Sequence, residues 1–336
     1  MSALIKISVS LSPVFVFLLI LILLDSFKLL RLRLITQMIL AGCGVALLGL
    51  VINRWFLGLG WLELTSFSRS LGPVIEELLK VLYVAYFIRT KRVGFMVDAA
   101  ILGFAVGAGF AFIENVYYLH SLAGSNLAVW IIRGFGTAVM HGGTTAIFAV
   151  LSKTMTERHG AESWHVFIPG LVVAVGIHAF FNQFWLPPMV NTVVQLVALP
   201  LLIAMIFTQS ERSLRDWLEV GLDTDVHLLE YVTSGSISET KVGRYLQALK
   251  GRFPGEVVAD MLCMLRVHLE LAIRAKGILM MREAGFKTPP DPEIKARFAE
   301  IKYLEKSIGK TGQLAIAPIL HNSSRDLWQI YMLQGQ

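Results

Sequence analysis

Of the 336 residues, 55% are hydrophobic and only 16% charged, against about a quarter charged in ordinary soluble proteins; this excludes a wholly soluble enzyme. The formal net charge of +6 arises mostly in the hydrophobic part, since residues 1–207 carry 13 Lys and Arg against 8 Asp and Glu, and residues 208–336 carry 17 against 16. It therefore speaks for membrane topology, and no nucleic-acid partner is expected. Cys43 and Cys263 lie far apart in the chain and offer neither a disulfide framework nor a cysteine zinc site.

Apolar runs fall at about residues 3–24, 35–53, 70–88, 95–119, 128–152, 165–186 and 190–207, each near the ~20 residues that a helix needs to cross a bilayer. The first is too long for a signal-peptide core and has no small-residue cleavage site after it, so it is read as a span. Positive residues cluster after alternate runs: Lys28, Arg31 and Arg33; Arg89, Lys91 and Arg92; Lys153 and Arg158; Arg212 and Arg215. The positive-inside rule then gives an all-α, polytopic bundle of about seven spans in the cell (inner) membrane, with the N-terminus outside and the C-terminal part in the cytoplasm. The expected domains are a transmembrane domain, residues 1–207, and a cytoplasmic helical domain, residues 208–336.

In that second domain residues 211–222 alternate apolar and charged faces. Ser236 and Glu239 have the spacing of a capping box before a helix to about Phe253. A long helix is expected over residues 255–283, closed by Gly285, then a loop at residues 288–292 and a mixed-charge helix from Glu293. Gly309-Lys310-Thr311 looks like the end of a phosphate-binding loop, but Leu304 stands where the first glycine belongs, so it is read as a turn. The domain carries no catalytic signature and reads as a regulatory or partner-binding module.

Ionisable groups within the spans are the exception to the apolar pattern. An ionisable side chain at bilayer depth costs several kcal/mol and is functional by default. Glu76, Glu77 and Lys80 lie on the third run, Glu114 and Asn115 on the fourth, His141 on the fifth, and His178 with Asn182 on the sixth. At about 1.5 Å per residue all four helices carry these groups roughly 6–12 Å below their outer ends. Phe110 and Glu114, His141 and Thr145, and His178 and Asn182 are each four residues apart and share a helix face. Glycines at 103, 107, 109, 134, 136, 142 and 143 permit close helix approach around a cavity. Asp98 reads as a residue of the inner interface and Arg133 as an anchor at the outer one.

These motifs, Glu-Glu-x-x-Lys (76–80), Phe-x-x-x-Glu-Asn (110–115), His141 with Thr144 and Thr145, and His-x-x-x-Asn (178–182), resemble the PrsW family of intramembrane proteases. That family shares a clan with the CAAX-processing and bacteriocin-processing proteases and the Aph-1 scaffold subunit. The CAAX-type enzymes have His in place of Glu114 and Arg in place of Lys80. The resemblance covers about residues 70–185. It implies hydrolysis of a single-pass membrane protein near its extracytoplasmic side, with anti-sigma factors among the family's substrates and a role in stress signalling.

By the same resemblance Glu76 or Glu77 activates the water. His178 and Asn182 offer N–H groups to the oxyanion, and His141 and Glu114 hold the water or orient the base. Lys80 neutralises the spare carboxylate, and Phe110 and Asn115 support the site. No cofactor is expected: a zinc-dependent form would use the same residues, but no His-Glu-x-x-His spacing occurs. Two other classes compete. A proton-coupled transporter would also bury Glu and His, yet the spans show no internal duplication; a scaffold like Aph-1 would not need both Glu and both His residues.

Overall fold

The computed structural model describes residues 3–25, 30–159, 163–286, 291–320 and 333. Every regular element among them is helical, with no strand, and the chain divides into two compact units between Ser210 and Glu211.

In the first unit α1 (Ala3–Leu24) and α2 (Leu32–Gly58) lead to a short α3 (Leu64–Arg69), then α4 (Leu71–Arg89) and α5 (Met96–Ser121). A single turn, α6 (Leu127–Ile131), runs through a π-helical stretch, Ile132–Thr137, into α7 (Ala138–His159). α8 (Ile168–Gln183) follows, and α9 (Pro188–Thr233) begins in this unit and ends in the next. Among the described residues six helical stretches are long and apolar enough to cross a membrane. The remaining expected span, α4, is 19 residues long and carries Glu76, Glu77 and Lys80, so its composition sets it apart from the six.

α5 is the axis of the unit. Residues 97–111 are all buried, as expected of a helix apolar on every side. Lipid supplies no hydrophobic drive between helices, so packing has to come from close approach of small residues. At Gly109 a Cβ would fall 2.0 Å from the Ile39 carbonyl oxygen of α2, and at Gly107 it would fall 2.2 Å from the His141 carbonyl oxygen of α7. Both obstacles are backbone atoms. Gly107→Ala is therefore expected to force α5 and α7 apart and to destabilise the unit by about 1–3 kcal/mol; the check is the unfolding free energy of the purified variant, and wild-type stability would contradict this packing.

At the opposite end of α5 from Glu114, Asp98 is fully buried, not at an interface. Its Oδ2 accepts the Phe95 N–H at 3.1 Å, which satisfies a backbone donor at the helix start.

The second unit, residues 211–336, contains the end of α9, α10 (Lys241–Leu249), α11 (Gly255–Glu283) and α12 (Pro292–Leu320) around a core that includes Leu246, Met261, Leu265, Leu271, Ile301 and Leu304. The expected cap at Ser236 is replaced: Ser236–Glu239 forms a 3-10 turn, and Thr240 caps α10 by accepting the Gly243 N–H at 3.0 Å. α11 has the expected limits, and Gly285 follows it at φ 82°. Gly309, at φ 66°, puts a kink within α12, where the Gly-Lys-Thr turn was expected. Of the expected loop, residues 288–290 lie outside the described residues. Lys276 of α11 is buried and tied to α9 by Asp225 at 2.5 Å and the Gly221 carbonyl at 3.2 Å.

Candidate active site

Pro73 lies in the first turn of α4, where its missing N–H costs no hydrogen bond, and the helix then carries Glu76, Glu77 and Lys80 into the unit. Glu77 and Lys80 are both 0% exposed, and Lys80 Nζ lies 2.5 Å from Glu77 Oε1. The ion pair is thus i,i+3; Glu76, one turn before Lys80 at i,i+4, is not its partner. Glu77 Oε1 also accepts Thr144 Oγ1 of α7 at 3.2 Å and faces His178 Nδ1 of α8 at 2.8 Å. Its Oε2 is buried with no hydrogen-bond partner among the described residues.

The network assigns both imidazole tautomers. Lys80 Nζ stands 3.2 Å from His141 Nδ1, and an ammonium has only donors, so Nδ1 accepts. His141 Nε2–H then donates to Glu114 Oε2 at 2.9 Å. At His178 the Nδ1–H donates to Glu77, which leaves the Nε2 lone pair directed toward Glu76 Oε2, 3.8 Å away. The two imidazole rings meet edge to face with centroids 4.8 Å apart. Phe110 packs on His141 at 4.9 Å and under Lys80 Nζ at 5.0 Å, shielding the ion pair.

Glu76 is different: it is 16% exposed and lines a cavity of about 490 Å³ together with Asn53, Glu114, Arg133, His141 and His178. This cavity lies where α2, α5 and α8 end and α9 begins, as its lining by Leu57, Leu122, Asn182 and Pro188 shows. Asn53 Nδ2 donates to Glu76 Oε1 at 3.2 Å. Four of the expected residues, Glu77, Glu114, His141 and His178, therefore meet in one hydrogen-bonded cluster with Lys80, and Glu76 stands against it with Oε2 3.8 Å from His178 Nε2.

Asn182 does not join it. Its Nδ2 donates to the Ser68 carbonyl of α3 at 3.0 Å, which places it at the rim. Asn115 is a fastener: it donates to the Ser10 carbonyl of α1 at 2.8 Å, while its Oδ1 accepts Arg133 Nε at 2.9 Å.

Arg133 and Asn53 are the residues that sequence reasoning missed. Arg133 is no interface anchor: it is 13% exposed, pairs with Glu114 Oε2 at 3.3 Å and lies 3.7 Å above the Tyr118 ring. It sits on the π-helical stretch, a feature that recurs at functional sites. The only sequence signal was an arginine inside an apolar run, and for Asn53 an amide near the end of one.

Glu76, His141 and His178 each offer a ligand atom, and these atoms lie within 4.8 Å of one another. Two imidazoles and a carboxylate are a donor set used by catalytic zinc. His178 suits it further, since Glu77 holds its Nδ1–H and leaves Nε2 free. His141 joins such a set once it gives up Glu114 or Lys80. The donor chemistry thus fits a divalent metal, and the expectation of no cofactor gains no support from it.

Residues 30–207 match the PrsW-protease family, described as PrsW family intramembrane metalloprotease. No curated protein and no solved structure matches the chain.

Proposed function

The chain belongs to the PrsW family of intramembrane proteases, and we propose that it hydrolyses a peptide bond of a single-pass membrane protein at the cluster around Glu76, with the cut near the extracytoplasmic face. The observation that carries this is the meeting of Glu76, His141 and His178, from three helices, within 4.8 Å of one another on the wall of a cavity in an otherwise apolar bundle.

Glu76 is the carboxylate free to act. Glu77 is committed to Lys80, and Glu114 to Arg133 and His141. Asn53 fixes one oxygen of Glu76; the other faces the cavity, takes a proton from the attacking water and delivers it to the departing amine. Glu77 orients His178, and the Arg133–Glu114 pair orients His141. In the alternative, metal-dependent form Glu76 would be a ligand instead of the base: with His141 and His178 it would hold a divalent metal such as Zn²⁺, which when bound supplies Lewis acidity and brings the pKa of its water toward about 7.

The positive residues beside alternate spans support an N-terminus outside and residues 211–336 in the cytoplasm of a cell membrane, where that helical unit would receive a regulator. An anti-sigma-factor-like substrate and a place in stress signalling follow from the family resemblance.

The test is purified full-length protein in lipid nanodiscs with a panel of single-span substrates, product ends being mapped by mass spectrometry. Cleavage in the outer part of the span is expected; no cleavage of any membrane substrate would refute the reading. Chelation followed by Zn²⁺ addition separates the two forms, since loss and recovery of activity marks a metal site and unaffected activity marks the metal-free one. Arg133→Met is expected to lower kcat about 10–100-fold, as loss of an outer partner does, with Arg133→Lys restoring only part because Lys lacks the guanidinium fork; kcat and KM measured separately check this.

A further inference from the structure

A second, smaller cavity, of about 80 Å³, lies between α2, α4 and α5, lined among others by Ala46, Gly49 and Asn53, Glu76, Phe110 and Glu114. Ala46, Gly49 and Asn53 stand at i, i+3 and i+7 and so share one face of α2. The room exists because that face is small: a Cβ at Gly49 would meet Phe110 Cε2 at 3.7 Å and Leu79 Cδ1 at 3.8 Å, both ordinary contact distances. Asn53, Glu76 and Glu114 also line the 490 Å³ cavity. The small chamber therefore adjoins the larger one at the carboxylate assigned to the chemistry.

The geometry points to a water store: this chamber keeps water against Glu76 when a peptide fills the larger cavity, and supplies the molecule that Glu76 deprotonates. This rests on the peptidase reading above, in the form with Glu76 as the base. In that step the water oxygen bonds to the scissile carbonyl carbon, its proton passes through Glu76 to the amine nitrogen, and the C–N bond breaks. Each cut thus consumes one water, at a depth where lipid supplies none. The lining chooses water over other occupants. A carboxylate accepts about four hydrogen bonds; Glu76 takes one from Asn53, and Arg133 and His141 both address Oε2 of Glu114. Both carboxylates keep acceptor capacity, which a lipid tail or an apolar side chain would leave unmet at a desolvation cost. Size agrees. An aliphatic cavity that takes a benzene measures about 150 Å³, whereas 80 Å³ holds about two or three waters at ~30 Å³ each.

The test uses the full chain in phosphatidylcholine nanodiscs with a single-span peptide that wild type cuts. Gly49→Leu fills the chamber from α2. Gly44→Leu is the control, since Gly44 lies on the same helix and a Cβ there meets nothing within 4 Å. Gly49→Leu is expected to lower kcat about tenfold, the scale of one hydrogen bond of ordinary net strength. KM should stay within about twofold of wild type, and Gly44→Leu should keep both constants. Ala46→Ile fills the same space from the preceding turn and should give the same result, which covers a Gly49→Leu protein that does not fold. A filled chamber with kcat unchanged, or with KM alone raised, overturns the proposal.

A second measurement does not depend on turnover. The structure of full-length Glu76→Gln with the uncut peptide bound, at a resolution that shows ordered waters, is expected to hold water in the chamber within hydrogen-bond distance of Asn53 or residue 76. A dry chamber, or density there for a peptide side chain, a lipid tail or a metal ion, overturns the store. Water in the chamber of a protein that cuts no membrane substrate leaves the store standing and refutes hydrolysis instead.

Discussion

Lys80→Met should destabilise the membrane unit by about 3–5 kcal/mol, the cost of leaving one member of a buried ion pair without its partner. Glu77, at 0% exposure, would keep Thr144 and His178 but lose its ammonium partner. His141 would lose the donor on its Nδ1 at the same time. Adding Glu77→Gln should return much of the stability, because the amide oxygen still accepts from Thr144 and His178 and no charge remains to compensate. The unfolding free energies of wild type, both single variants and the double variant form the cycle that measures this coupling. A Lys80→Met protein within about 1 kcal/mol of wild type would mean that the buried pair is not the electrostatic centre of the site.

Glu76→Gln should separate chemistry from stability. Its side chain is partly exposed, and its hydrogen bond from Asn53 survives in a Gln. The fold should therefore hold while cleavage falls about 10²–10⁴-fold, the contribution of a positioned proton acceptor. Rates for a fixed membrane substrate, compared at matched melting temperature, provide the check. A loss smaller than about tenfold would move the proton-accepting role to another carboxylate, and Glu114 would be the next to change.

The helical bundle and the elements of the site were legible because charge is conspicuous in apolar runs. Glu76, Glu77, Glu114, His141 and His178 stand out on cost alone, and the glycines of α5 announce where backbones touch. Pairing was not legible. Helical spacing places Lys80 beside either Glu76 or Glu77, and only the neighbours of α4, with Thr144 and His178 facing Glu77, decide between them. Asn182 shares the face of His178, yet a turn further along α8 has already passed the cluster and reached α3.

Arg133 shows a different limit. At about 100° per residue, Arg133 and His141 would lie about 80° apart on a regular helix, which argues against a shared target. The stretch Ile132–Thr137 is a π-helix, whose wider i→i+5 turn rotates less per residue. Both side chains therefore reach the same Glu114 oxygen. Nothing in the composition of Ile-Arg-Gly-Phe-Gly-Thr declares that change of pitch.

The composition that sets α4 apart also bears on how the protein is made. A carboxylate or ammonium at the centre of a nascent span raises the insertion free energy by about 2.5–3.5 kcal/mol, and α4 brings three such groups. Two of them, Glu77 and Lys80, neutralise each other within the helix itself, before any later segment exists. The third, Glu76, finds its amide partner Asn53 on α2, which the ribosome has already delivered, whereas both histidines emerge afterwards. α4 is thus equipped to leave the translocation channel in the company of α2, and the imidazoles complete the constellation only when α7 and α8 arrive.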